Sequence, residues 1–488
     1  RKEWGLNQDQ LPSTHPIKAE IRDLQDVEVN FDGITYAKGA AVLRQLVSYV
    51  GREKFFAGLH EYLTKHSYAN ATQDDLLGEL EATSGRDLRA WSKVWLEEAG
   101  VTTLRPKFSL DDDGNFTELS ITQEATTPGA SLRPHRLIIA GYDQGDDGKV
   151  HQTFSWEVDI DGDSTPLAIA NGVKKPQLLL VNDQDLAYAK VRLDAESLAF
   201  AIDQIDKITD PLTRRILIAA AWDMTRDAEM SATDFIALAL RDAAIEDNIA
   251  TLTSLLQRIE AAIVRYTAPA NRVARSIYAA DRLSLLAKAA AADTDQQQLL
   301  VRAAVRTATT AEQYSLVEKL YTGETTLLGL DVDIDLQWHL LIALIRGGRA
   351  GETQIAAQLE KDPTLTGQQR AAQARAALNS DTTRNHAWDE VLHNTELSND
   401  TLRAMMAGFW ANVTTEPVAY TEFVEKFFDQ VVRTWKAHTF HVGASIIEGM
   451  FPSALAGYLP QVDVVGRAQE WLDNHADQSD QLRRLIIE

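Results

Sequence analysis

From about Asp194 to Glu488 the chain is rich in Ala and Leu and holds only six prolines in nearly three hundred residues. Proline removes a backbone donor and clashes with the preceding turn, so so long a stretch with so little of it is free to be helical almost throughout. Runs such as "PLTRRILIAAAWDMTRDAEM", "DLQWHLLIALIRGG" and "QQRAAQARAAL" repeat an amphipathic period, with short polar turns between them. No fixed repeat length recurs. An irregular, HEAT-like α-helical superhelix therefore fits better than a strict repeat array, and such a surface is usually concave and able to hold an extended partner.

A different pattern precedes it. Five of the thirteen prolines fall between 101 and 176, and turn clusters such as "DDDGN" and "DQGDDGK" separate short alternating runs. Those runs, "KFSL", "FTELSITQE", "HRLIIAGYD", "VHQTFSWEVDI" and "QLLLVN", predict a small antiparallel β-sandwich acting as a spacer or brace. Before that, Ile34 to Gly100 reads as four short helices. "TYAKGAAVLRQLVSYVG" places Tyr36, Ala40, Leu43, Val47 and Val50 on one face and ends at Gly51, a left-handed cap. Thr72 with Asp75 has capping-box spacing and Gly85 follows; Ser84 with Asp87, ahead of Gly100, repeats the device.

Composition narrows the function. With 488 residues, 45% hydrophobic, the chain expects two or three ordered domains. A net charge of −23 argues against nucleic acid or an anionic membrane as a main partner, although a solvated acidic surface is the simpler account of the charge itself. No cysteine is present, which excludes disulfides, thiolate metal sites and Cys nucleophiles and is compatible with a reducing compartment. The longest apolar run, Ile216 to Trp222, is far short of the roughly 20 residues a membrane span needs. The chain opens without an initiator Met, which suggests further sequence upstream.

Several motifs look chemical and fail on geometry. "HEYLTKH" resembles a zinc-binding His-Glu-x-x-His, but the residue four after His60 is Thr64. His66 comes six after His60, which at about 100° per residue puts it on the far side of a helix. His438 and His441 have a usable spacing but no third ligand nearby, and His339 reads as a packed or capped residue. "DVDIDLQW" starts like a calcium loop but lacks its Gly and Glu, so a helix N-terminus with acidic first-turn residues is the better account. No Gly-x-Ser-x-Gly elbow and no phosphate-cradling Gly-rich loop is present.

One stretch remains, "FDGITYAKGAAVLRQLVSYVG", Phe31 to Gly51. It closely resembles the segment shared by the aminopeptidase N family of zinc metallopeptidases, where an aromatic-Asp pair precedes a Tyr-x-Lys-Gly-Ala helix start. The resemblance runs on through Phe-x-x-Gly, Tyr-x-x-x-His and Trp-x-x-x-Trp landmarks to Gly100, and backward to "STHPI", Ser13 to Ile17. Farther on, Leu178 to Asp194 and Ala219 to Met230 resemble the sheet-to-helix junction and early helices of the large C-terminal domain in bacterial, particularly actinobacterial, members.

The resemblance implies a mostly α fold in three parts: the helical end of a thermolysin-like catalytic domain over 1–102, the β-sandwich over 103–193, and the helical superhelix over 194–488. It implies that the family's zinc motif and amine-binding loop lie upstream, so that zinc belongs to the full-length parent and none is expected on this chain. It implies peptide substrates, a cytoplasmic enzyme, and a C-terminal domain that closes over the substrate chamber; oligomeric state stays open.

The one catalytic residue the family pattern carries over is Tyr36, whose phenol hydroxyl would stabilise the oxyanion of the tetrahedral species. Periodicity alone fits a tyrosine on the buried face of the helix with its hydroxyl hydrogen-bonded. Lys38 reads as solvated or paired, and Gly39 as permitting close helix packing. The alternative to an enzyme is a non-catalytic helical scaffold or peptide-binding module.

Overall fold

The computed structural model describes residues 2–22, 26–27, 30–126, 130–456, 458–459 and 461–488. The chain divides into two compact units, Arg1–Met230 and Ser231–Glu488.

In the first unit, helix Lys2–Gln8 precedes four helices, Gly39–Val50, Arg52–Lys65, Gln73–Ser84 and Leu88–Leu96. Their ends follow local chemistry. Thr72 and Asp75 form the expected capping box, and Gly85 closes that helix in the left-handed conformation at φ 72°. The next helix departs from expectation: Asp87 caps it, accepting from the Arg89 and Ala90 amides, whereas Ser84 still belongs to the preceding helix. Gly51 has a positive φ of 91° but an extended ψ of 131°, a glycine region other than the expected left-handed cap.

The face of Gly39–Val50 also differs. Val42, Gln45, Leu46 and Val50 are buried, while Tyr36, Ala40 and Leu43 are exposed. Apolar residues stand on both sides of this helix, and a polar contact helps choose between them: the Gln45 side-chain oxygen accepts the Tyr188 amide at 2.7 Å. Hydrophobic periodicity gives no weight to a buried glutamine. Against the buried face pack Leu77, Leu80, Leu88, Trp91 and Trp95, the last two four apart on one helix with ring centroids 6.1 Å apart.

The sandwich has two sheets. Strands β1 (Thr102–Leu110), β2 (Phe116–Ala125), β3 (His135–Gln144), β4 (Val150–Ile160) and β6 (Leu178–Asp183) match the five alternating runs; β5 (Ser164–Pro166) and β7 (Lys190–Val191) are too short to leave such a pattern. Strand order is β5-β2-β1-β7 in one sheet and β4-β3-β6 in the other. Pairing is antiparallel except between β1 and β7, where Thr103 and Leu104 face Lys190 and Val191 in parallel. Helices Ala195–Gln204 and Pro211–Arg226 complete this unit.

The second unit is helical, a stack of the superhelical kind that the sequence predicts, from Ala232–Ala243 to Asp480–Ile487. Its starts are marked by caps: Ser231, Asn248, Thr294, Thr310, Thr364, Ser380 and Ser398 each accept a backbone amide from the first turn. Asp333 does the same for Ile334–Arg346, which is the helix N-terminus expected of "DVDIDLQW". Trp338, Leu341, Ile355 and Ala371 form one core, and Trp388, Phe409, Phe423 and Phe427 belong to another. A side chain at Gly408 would stand 2.2 Å from the Gln373 carbonyl, so helices Leu365–Ala376 and Asn399–Phe409 meet backbone to backbone. No helix among the described residues is long and apolar enough to cross a membrane.

Candidate active-site tyrosine and its support

Tyr36 stands on a five-residue π-helical turn, Ile34–Lys38, that feeds directly into Gly39–Val50. Such wide turns are rare and tend to mark functional positions. The side chain is 47% exposed, unlike the buried tyrosine that periodicity alone would allow. Its ring meets Phe31 edge to face at 4.8 Å, and among the described residues its hydroxyl has no hydrogen-bond partner.

Beneath it the turn is pinned by two carboxylates. Asp32 Oδ1 accepts the amides of Ile34 at 2.9 Å and Thr35 at 3.1 Å, which orders the first residues of the turn. Its Oδ2 accepts Gln8 Nε2 at 2.6 Å and lies 2.8 Å from His15 Nε2. Burial pushes the Asp32 carboxyl up, but His15 and the Thr35 and Ile34 amides outweigh it and hold the group below the ordinary carboxylate range. The other ring nitrogen of His15 faces the Pro16 carbonyl at 2.8 Å.

The second carboxylate is Asp9, fully buried with Lys38 in an ion pair of 2.9 Å. Lys38 also donates to the Gly100 carbonyl at 2.9 Å, and Asp9 accepts the Gly100 amide at 3.0 Å and the Thr14 hydroxyl at 2.7 Å. Burial pushes the Lys38 amine below its ordinary value; the nearby Arg133 adds to this and Asp9 opposes it. Lys38 is thus paired rather than solvated. Arg133 is itself buried, with its guanidinium held by the Val94, Glu98 and Ala99 carbonyls.

Close packing falls on other glycines than the one expected. A side chain at Gly39 would meet its nearest atoms at 3.9 Å, an ordinary contact. At Gly5 it would stand 2.9 Å from the Lys38 amide, and at Gly33 2.9 Å from the Trp4 carbonyl. Helix Lys2–Gln8 therefore lies directly against the Tyr36 turn. Asp32 and His15 enter the sequence pattern only as landmarks, and Gln8 and Asp9 leave no mark in it, because a lone acid in a polar stretch carries no periodic signal.

The remaining candidates stay apart. His60 is exposed on Arg52–Lys65 and His66 caps that helix. His438 lies 3.1 Å from the Leu392 carbonyl, and His339 sits 3.6 Å from Asp335, which also pairs with Arg302 and Arg370. Among the described residues no group of three or more His, Asp or Glu side chains could hold a metal ion. The side chains described here therefore do not fit a zinc site.

The comparisons with known proteins agree with this architecture. The family described as ERAP1-like C-terminal domain matches residues 178–488, and the peptidase family M1 domain matches residues 2–95, which include the Tyr36 turn and the four helices after it. Aminopeptidase N of Streptomyces lividans is 41% identical over 493 residues, covering 100% of this chain and 57% of the relative. Tricorn protease-interacting factor F2 of Thermoplasma volcanium is 30% identical over 210 residues, 42% of this chain and 24% of the relative. Leucyl aminopeptidase of Saccharolobus solfataricus is 39% identical over 105 residues, 22% of this chain and 13% of the relative. A mostly helical chain with an M1-type segment followed by an ERAP1-like C-terminal domain defines the class: the chain belongs to the aminopeptidase N family of M1 peptidases. It spans a little over half the length of its Streptomyces relative.

Proposed function

We propose that this chain is the C-terminal region of a zinc-dependent, cytoplasmic aminopeptidase that releases N-terminal residues from peptides, and that Tyr36 is its catalytic contribution. The observation that carries this reading is the Tyr36 hydroxyl, exposed and without a partner among the described residues, on a turn fixed by Asp32 and by the Asp9–Lys38 pair. A phenol held there donates to an oxygen that becomes negative only as the tetrahedral species forms, so it stabilises the transition state more than the flat substrate. The match of the M1 domain to residues 2–95 supports the assignment.

The metal ligands lie outside these residues, and this chain alone neither binds catalytic zinc nor hydrolyses peptides. Residues 1–102 are the end of the catalytic domain, 103–193 the brace, and 194–488 the domain that closes over the substrate chamber. The test is zinc content and aminoacyl-arylamide hydrolysis after zinc addition, for this chain and for a version extended upstream. Activity confined to the extended form is expected. Stoichiometric zinc and turnover in this chain by itself would overturn the reading.

A further inference from the structure

The second unit contains a cavity of about 500 Å³ whose wall carries three arginines, Arg272, Arg306 and Arg346. Among the described residues that line it, Glu260 is the one acid, and it pairs with Arg306 at 2.6 Å. The other two cations have no carboxylate partner among the described residues. Arg346 spends its donors on the Val305, Arg306 and Ala308 carbonyls at the end of helix Asp295–Thr307 and on the Tyr314 hydroxyl. Arg272 is 7% exposed; its Nε donates to the Thr267 carbonyl at 2.9 Å, and the Tyr458 ring lies over its guanidinium at 3.9 Å.

Neutral carbonyls and a ring face satisfy geometry without cancelling charge, so the wall keeps a net positive charge in a chain whose overall charge is −23. Its donors are also incomplete. Arg272 Nη1, Tyr458 Oη and Thr309 Oγ1 are closed off from solvent and have no hydrogen-bond partner among the described residues. A buried donor without an acceptor is costly, and three of them on one cavity wall beside uncompensated guanidinium charge are what an incoming oxyanion would satisfy.

We propose that this cavity binds a small oxyanion, a carboxylate or phosphate group, with Arg272 as its principal anchor. Tyr458 stacks on the face of the Arg272 guanidinium and fixes its plane. A shift of that ring brings the edge nitrogen Nη1 to the ligand, with the Thr309 and Tyr458 hydroxyls as further donors. Glu260 opposes the anion and holds Arg306 back from it.

The test is calorimetric titration of the full chain with sodium phosphate and, separately, with citrate, at constant ionic strength. One saturable site with a Kd below about 1 mM is expected in at least one arm, and the stronger arm identifies the oxyanion. Arg272→Gln should weaken it by about tenfold or more, and Glu260→Gln should tighten it several-fold, a direction that a merely structural role would not give. If Arg272→Gln does not fold, Arg306→Gln on the exposed rim carries the same test and should weaken binding several-fold. Absence of saturable heat in both arms, or affinities unmoved by these substitutions, would overturn the proposal.

Discussion

Asp9 and Lys38 form an ion pair of 2.9 Å in which neither side chain is exposed, and Lys38 lies two residues after Tyr36. Removing one partner leaves the other charge buried and unpaired. Lys38→Met should therefore cost about 3–5 kcal/mol of stability, whereas Asp9→Leu combined with Lys38→Met should cost less than Lys38→Met alone. Urea denaturation of the single and double variants measures both, and additive losses would refute the coupling.

Tyr36→Phe separates chemistry from folding. The hydroxyl has no partner among the described residues, so its loss should change stability by under about 0.5 kcal/mol. In an active, longer form of the enzyme the same change should lower kcat by about 10²–10³-fold with little effect on KM, as expected for a donor used only in the transition state. Steady-state kinetics on an arylamide substrate is the measurement.

The glycines give a paired contrast. Gly5→Ala forces a side chain to 2.9 Å from the Lys38 amide, and the backbone must shift; a loss of about 1–3 kcal/mol is expected. Gly39 is helical at φ −54° with room around it, so Gly39→Ala should be neutral or stabilising by about 0.4–1 kcal/mol. Thermal unfolding of the two variants decides it.

His135 sets an acid limit on the first unit. It is fully buried between Gln123 and Thr102, and burial, with Arg133 and Lys2 adding to it, pushes its pKa down to about 3. The unfolded chain binds that proton near pH 6.5 and the folded chain does not, so stability rises with pH between about 3 and 6.5 and is lost as pH falls through this window. The slope from this one group approaches about 1.4 kcal/mol per pH unit. His135→Gln should flatten the profile in that window, as followed by urea midpoints from pH 4 to pH 7 at intervals of about one unit.

Much of this was legible because it is local. Five strands and most helix boundaries follow from alternation, caps and turn residues that act within a few positions. What local pattern does not reach has another cause. Periodicity points to the wrong face of Gly39–Val50, because Gln45 is buried with a hydrogen bond to Tyr188, far along the chain. Lys38 is paired, one of the two readings its position leaves open, but nothing local names the partner: Asp9 stands 29 positions earlier in sequence with no pattern around it. Tyr36 stood out only through its family motif, since the π turn that exposes it leaves no trace in hydrophobic period.

The parallel step between β1 and β7 bears on how the chain is made. Thr103 emerges from the ribosome well before Lys190, the residue it must face, and no hairpin can bring the two together. The sheet β5-β2-β1 can zip up as its strands appear, but its outer register is sealed only when the segment around Lys190 arrives. Until then the Thr103–Leu104 end of β1 is an open template for another nascent chain, so synthesis that stalls between these points exposes backbone that Lys190 and Val191 cover in the finished protein.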